Sequence, residues 1–167
     1  MFVLKPLSRE AIPGALAKAE RYRLLNEPWQ AESICRDILA VDRDNRQARV
    51  TLVLALTDQF SQGVGMHEVM GVIGELADEY DRDYYTGIVH ERRALALFRQ
   101  ADFRSGETVH MLMEHAMAWY ERAQELRPQG NDDSLLRWNA CARFLMRYPQ
   151  LQPADAGARE LEPVLCD

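Results

Sequence analysis

Apolar residues recur at three- and four-residue spacing along most of the chain, and this spacing constrains the fold more than any other feature. One face of an α-helix returns after three or four residues, whereas the residues on one face of a strand alternate. Over residues 11–25 the pattern includes Ala15, Leu16, Ala19 and Tyr22. No alternating run stands alone. We therefore predict an all-α chain with about three quarters of its residues in helix, well above the usual one-third.

Turn and capping residues divide this pattern into seven predicted helices. We expect Asn26 to cap the second helix, with Pro28 in its first turn, and Asp44 with Gln47 to open the third as a capping box. Asp133 lies at the start of the seventh, where the helix dipole favours negative charge. The predicted helices cover about residues 11–25, 28–41, 44–60, 66–80, 84–101, 107–126 and 132–147, with a short closing helix at 154–161.

No linker is long enough to separate two domains, so the chain is predicted to form a single domain over residues 1–167. Residues 1–10 would form an N-terminal arm, 11–147 the helical body and 148–167 a C-terminal capping segment. Chains of roughly 100–200 residues commonly fold around one hydrophobic core. This chain has the length for one such core.

The charge and cysteine content argue against several classes of function. The chain has 26 acidic and 20 basic residues, a net charge of −6, whereas proteins that bind phosphate backbones are usually basic. Its most apolar stretch, residues 52–56, is far shorter than the roughly 20 residues that span a bilayer. The three cysteines lack metal-site spacing, and no signal-peptide core is present. We expect a cytoplasmic protein without cofactor that binds neither nucleic acid nor membrane.

One helix face could offer ligands to a metal ion. Glu107, His110 and Glu114 are spaced by three and four residues, which places them on one face of the sixth predicted helix. A di-iron bundle needs two Glu-x-x-His pairs and two further glutamates, and this chain has one such pair. We expect a solvated helix face and no metal. A metal-dependent helical enzyme using these three residues remains the remote alternative.

Two other polar clusters each allow two interpretations. Residues 90–93 read His-Glu-Arg-Arg, so Arg92 or Arg93 could bind an acidic or phosphorylated ligand, although ion pairing at the surface is the simpler expectation. Residues 131–133 and 137–139 combine polar groups with Trp138. They form either a recognition pocket or a helix cap followed by a turn whose tryptophan packs in the core.

Two stretches of the chain share one spacing pattern. Each has a small residue, a larger residue four positions later and another residue three positions after that. A small side chain lets two helices approach closely, and the larger residues fill the groove beside it. We expect Ala31 and Ala116 to be buried at helix crossings. The two sets are Ala31, Cys35 and Ile38, and Ala116, Tyr120 and Ala123.

This spacing resembles the tetratricopeptide repeat (TPR) family. Ala116, Tyr120, Ala123 and Pro128 match the second helix of the family's repeat, whereas the first copy departs from it at Cys35 and Ile38 and the middle helices are irregular in length. The resemblance implies antiparallel helix pairs stacked as a right-handed superhelix. It also implies a non-catalytic protein that binds a peptide or an amphipathic helix of a partner in a concave groove.

The same resemblance implies which residues face the groove. A subset of the family clamps a partner's terminal carboxylate with lysine and asparagine, which the corresponding places of this chain lack. The groove should instead be acidic and apolar and should suit an amphipathic, basic helix. Its occupant could be a partner helix, a second copy of the chain or residues 154–165 folding back, and a small chaperone that holds a client is the alternative function. The expected groove residues are Leu16, Glu20, Gln47, Val50, Leu54, Asp58, Leu136 and Ala140.

Overall fold

The computed structural model describes residues 2–100 and 105–153. Helix accounts for 78% of these residues and no strand occurs among them, so the predicted all-α class is confirmed. The helices are α1 (Ile12–Leu24), α2 (Pro28–Val41), α3 (Arg46–Thr57), α4 (Met66–Gly74), α5 (Glu79–Arg99), α6 (Gly106–Leu126) and α7 (Asp133–Arg147). The closing helix predicted at residues 154–161 lies outside the described residues.

Each helix packs against the next one along the chain, from α1 through to α7. Helices joined by short links lie beside each other. Two further contacts skip one helix: α1 meets α3, and α3 meets α5. Helices α1, α3 and α5 are therefore neighbours, and residues far apart in the sequence meet along them.

Asn26 ends α1 and does not cap α2. Its φ of 60° is left-handed, a conformation that asparagine tolerates better than most residues. The backbone N–H of Asn26 donates to Arg23 and that of Glu27 to Tyr22, the pattern that closes a helix C-terminus. The predicted role was wrong, while Pro28 does occupy the first position of α2.

The cap of α3 is Asn45, one residue after the predicted Asp44. The Asn45 Oδ1 accepts a hydrogen bond of 2.9 Å from the backbone N–H of Ala48, and its Nδ2 donates to Asp42. An asparagine can thus satisfy one free N–H of the first turn and fix the preceding loop as well.

The boundary between α4 and α5 differs most from prediction. α4 ends at Gly74 instead of near residue 80, and α5 begins at Glu79 instead of residue 84. The Asp78 side chain caps α5 by accepting from the backbone N–H of Asp81. Leu76 lies in the link between the helices and is nevertheless buried, so the apolar pattern runs on past the end of α4.

The core consists of three clusters of buried side chains. The largest contains side chains from all of the first five helices and includes Ala31 and Cys35 of α2. The second lies between α5, α6 and α7 and includes Ala116 and Tyr120. A small third cluster lies between α1, α2 and α3. Ala31 and Ala116 are completely buried, as predicted. These small residues lie where their helices contact neighbours.

Trp138 is partly buried, and its indole Nε1 donates to Glu121 at 2.9 Å. Trp29, in the first turn of α2, is 57% exposed and is thus less buried than Trp138. Cys35 and Cys141 are free, buried thiols. Within the described residues, none of the helices has the length and apolar character required to span a membrane.

Candidate binding cleft

The residues expected to line a groove are distributed over several environments. Leu16 is only 8% exposed because it packs in the cluster between α1, α2 and α3. Val50 and Leu54 are partly buried against the two larger clusters and do not form an exposed apolar centre. Leu16 therefore offers almost no surface to a partner, and Val50 and Leu54 offer part of theirs.

The polar and C-terminal members of the set are accessible. Glu20 and Gln47 are exposed and joined by a hydrogen bond of 2.9 Å from Gln47 Nε2 to Glu20 Oε1. Leu136 is 62% exposed, and Ala140 is exposed one turn later on α7. Of the eight residues, only Asp58 lines the cleft described below.

A cleft of about 590 Å³ opens where the odd-numbered helices meet. Its wall contains one arginine from α1, two from α5 and one from α7, together with two carboxylates and an apolar strip. We call it the arginine cleft. The side chains that define it are Arg23, Arg92, Arg99, Arg137, Asp58, Glu91, Phe60, Leu95 and Ala96.

Asp58 holds two of the arginines. Its Oδ2 accepts from Arg23 Nε at 2.9 Å, and its Oδ1 accepts from Arg92 Nη1 at 2.5 Å. Arg92 Nη1 also donates to the Thr57 hydroxyl at 2.8 Å and to the Leu54 carbonyl at 3.2 Å. These bonds tie α1 and α5 to the C-terminal end of α3 and fix the Arg92 guanidinium.

Glu91 is the second carboxylate of the cleft and is almost completely buried, at 6% exposure. It accepts a hydrogen bond of 2.5 Å from the Tyr120 hydroxyl of α6 and one of 3.2 Å from Arg137 Nη1 of α7. Burying a carboxylate is costly unless it is paired and hydrogen-bonded, and both conditions hold here. The Glu91 network therefore connects three helices behind the cleft.

The charges of the cleft act on one another. Burial lowers the pKa of the Arg92 guanidinium, and the positive charges of Arg23 and Arg137 lower it further, against the attraction of Asp58. Burial also acts to lower the pKa of Arg137, but Glu91 and the Tyr84 hydroxyl outweigh it and raise that pKa. Paired charges therefore outweigh burial at Arg137, whereas burial outweighs the attraction of Asp58 at Arg92.

Of residues 90–93, Arg92 forms the expected ion pair, with Asp58, but the expected surface position is wrong for Glu91, which is buried. His90 is also partly buried, with its ring 5.4 Å from that of His115. A signal for Glu91 was present in the sequence. It lies three residues after Ile88 and four before Leu95, so it continues the apolar face of α5.

The residues considered for a metal site form only an ordinary helical pair. His110 Nδ1 lies 3.4 Å from Glu114 Oε2, while Glu107 is exposed one turn earlier. Across residues 2–100 and 105–153, no group of three or more histidine, cysteine, aspartate or glutamate side chains is close enough to hold a metal ion.

The second polar cluster, residues 131–133 and 137–139, does not act as one unit, because its residues lie in different places. Asn131 Oδ1 accepts from the backbone N–H of Asp133 at 3.0 Å, a capping interaction at the start of α7. Trp138 and Asn139 line a small cavity of about 290 Å³ against α6, while Arg137 joins the arginine cleft. The cluster is thus divided between a helix cap and two different surfaces.

Comparison with known proteins finds no matching family model, no matching curated protein and no matching solved structure. The function is therefore inferred from the geometry and charge of the arginine cleft.

Proposed function

We propose that this chain is a TPR-like helical repeat protein that binds a segment of a partner protein and has no catalytic role. The segment would lie in the arginine cleft. The observation that carries this proposal is that the cleft is built by α1, α3, α5 and α7 together. Stacked helix pairs create extended binding surfaces of this kind along alternate helices.

The contacts of α1 with α3 and of α3 with α5 also support a repeat arrangement, because they relate helices one pair apart. The lengths of the middle helices depart from a regular repeat: α4 runs only over Met66–Gly74, whereas α5 extends over Glu79–Arg99. We attribute the size of the cleft to the length of α5, whose last turns carry Leu95, Ala96 and Arg99 into it.

The arginine content of the cleft changes the expected chemistry of the partner. A basic helix was expected from Glu20, Leu16 and the apolar residues of α3. The cleft instead presents guanidinium groups beside a short apolar strip, which favours an acidic segment. The attraction is local to the cleft, because the chain as a whole carries a net charge of −6, which repels an acidic segment at longer range.

Filling the cleft tests the proposal. Ala96 lines the cleft and is partly buried, so Ala96→Trp should block the space, whereas Ala118→Trp places the same side chain on an exposed position of α6. Each tagged full-length chain would be incubated with native cell extract, and bound proteins quantified by mass spectrometry. We expect a protein that the original chain and Ala118→Trp retain and that Ala96→Trp loses.

Circular dichroism and thermal melting must confirm that both tryptophan variants remain folded. Cross-linking the retained protein to the chain should then yield links around the last turns of α5. Identical sets of bound proteins for the two folded variants would contradict binding in the cleft.

A further inference from the structure

The arginine cleft contains more positive charge than its own carboxylates neutralise. Among the residues that the structure describes, four guanidinium groups and two carboxylates, Asp58 and Glu91, line it. Both carboxylates are already engaged, Asp58 by Arg23 and Arg92 and Glu91 by Arg137 and Tyr120. The cleft thus carries an excess of two positive charges in a chain whose net charge is −6.

Two of the arginines have N–H donors that form no bond with a described residue. Arg99 forms no ion pair or hydrogen bond with any described residue, although it lines the cleft. Arg23 donates to Asp58 from Nε, which leaves its two Nη groups without a bond to the described part of the chain. A guanidinium offers five N–H donors in a planar fork that matches a carboxylate. Both side chains can therefore receive a further acidic group.

The surroundings of Arg92 also favour the binding of an anion. The Arg92 side chain keeps only 23% of its surface, so charge in the cleft is partly removed from water. Burial destabilises its charged form and lowers its pKa, with Asp58 opposing this effect and the positive charges of Arg23 and Arg137 adding to it. A further negative charge near Arg92 would act through a lower dielectric than at an open surface, whereas Arg99 is itself exposed.

An apolar strip lies beside the guanidinium groups. Leu95 and Ala96 contribute partly buried side chains to it, whereas Phe60 borders the cleft but is only 3% exposed, with the Arg93 guanidinium 5.9 Å from its ring centre. The methylene groups of a glutamate side chain can pack on such a strip while the carboxylate reaches an arginine. A free inorganic anion would leave this apolar surface unused.

We propose that the arginine cleft binds acidic side chains, arranged as at least two neighbouring carboxylates, on a segment of a partner protein. This inference rests on the proposed function and specifies the chemistry of the partner. One carboxylate pairs with the Arg99 guanidinium and a second with the free Nη groups of Arg23. Asp58 and Glu91 remain in place as structural counter-ions and set the positions of Arg92 and Arg137.

A hexaglutamate peptide with blocked ends tests this proposal directly. Its binding to the full-length chain would be measured by isothermal titration calorimetry at low ionic strength, with hexalysine as the reverse-charge peptide. We expect hexaglutamate to bind with an affinity that falls as salt is added, and any binding of hexalysine to the acidic surface to be no weaker in Arg99→Gln. Arg99→Gln should weaken binding about five- to tenfold, because one charge-assisted contact is lost.

Arg143→Gln is the matched control. Arg143 is exposed on α7 and does not line the cleft, so this variant removes the same charge and should leave the affinity unchanged. Arg99→Glu should reduce binding further than Arg99→Gln. Arg99 lies in the last turn of α5, where a positive charge favours the helix, so melting temperatures must show that both variants remain folded.

The proposal is wrong if hexaglutamate does not bind, or if Arg99→Gln and Arg143→Gln weaken its binding equally. It is also wrong if inorganic phosphate binds as tightly as hexaglutamate, or if a single-stranded oligonucleotide binds more tightly than hexaglutamate. The last two would indicate a small-anion site or a nucleic-acid site. Failure here is distinguishable from failure of the proposed function. If Ala96→Trp still abolishes partner capture, the cleft binds a partner by other chemistry.

Discussion

Gly87 permits the closest contact between α5 and α6. A Cβ atom at this position would lie 2.5 Å from Cε1 of Tyr120, a distance that real Cβ atoms do not tolerate. The Tyr120 ring cannot simply withdraw, since it is fully buried and its hydroxyl donates to Glu91. Glycine weakens a helix interior, but here it lets the tyrosine reach the Glu91 network.

Gly87→Ala should therefore destabilise the protein by about 1–3 kcal/mol through overpacking, although alanine is the better helix former. Gly71→Ala is the matched control, because Gly71 lies in α4 with no atom within 4 Å of an added Cβ. That variant should gain up to about 1 kcal/mol. Urea unfolding measures both. Equal shifts in the same direction would contradict the role of the Gly87 contact.

Tyr120→Phe tests the bond to Glu91. Removing the hydroxyl leaves the buried Glu91 carboxylate with Arg137 as its remaining side-chain partner, which should cost about 1–3 kcal/mol. Tyr148→Phe is the comparison, since the Tyr148 hydroxyl makes no hydrogen bond among the described residues and its ring contacts would persist. We expect a change within about 0.5 kcal/mol there. Similar losses in both variants would show that the Glu91 bond is not special.

At the scale of the element, apolar spacing was sufficient to predict most helices. α1, α2, α6 and α7 begin and end within one or two residues of expectation, because Pro28 and the polar turns interrupt the pattern there. The start of α5 could not be found in this way. Leu76 and Tyr80 continue the apolar period of α4 across a break in the backbone, so periodicity alone does not register the break.

The cap of α3 can be tested directly. Asn45→Ala removes the acceptor for the Ala48 N–H and should destabilise the chain by about 1 kcal/mol. Asp44→Ala, at the neighbouring position where the sequence favoured the cap, should change the stability by less than about 0.5 kcal/mol. Chemical denaturation measures the free energy of unfolding of both variants. A larger loss for Asp44→Ala would indicate that Asp44, and not Asn45, caps α3.

The small residues at helix contacts give a second test of the elements. Enlarging Ala31 or Ala116 to leucine should overpack a fully buried position and cost about 1–3 kcal/mol. Ala118→Leu makes the same change on the exposed side of α6 and should be nearly neutral. If thermal melting gave equal values for all three variants, the helices would not depend on these close contacts.

For the whole molecule, the arginine cleft could not be predicted because its parts are far apart in the sequence. Arg23, Asp58, Arg99 and Arg137 come from α1, the end of α3, α5 and α7, and only helix packing brings them together. The TPR resemblance placed the groove on eight residues of several helices, with Val50 and Leu54 of α3 among them. It could not foresee that neighbouring helices cover part of both side chains.

Two buried thiols and one partly buried tyrosine make the free energy of unfolding depend on pH in the alkaline range. Burial raises the pKa of Cys35 and of Cys141 to about 12, and burial with the Asp81 charge raises that of Tyr85 to about 12. In the unfolded chain these groups lose their protons near pH 9 or 10. Their contribution to the free energy of unfolding is therefore complete below pH 9, and it declines as pH rises toward 12.

We expect unfolding in urea with a reducing agent present to show this decline between pH 9 and 11. Tyr80, Tyr84 and Tyr120, whose pKa burial also raises, contribute to the same decline, whereas the two lysines and the arginines contribute little. The Cys35→Ala/Cys141→Ala double variant should be less stable at pH 7, since truncation leaves cavities, yet lose less stability as pH rises. Parallel curves for the two proteins would mean that the thiols are not protected by burial. In that case they would also react with a thiol reagent in the folded state at pH 8, which we expect neither to do.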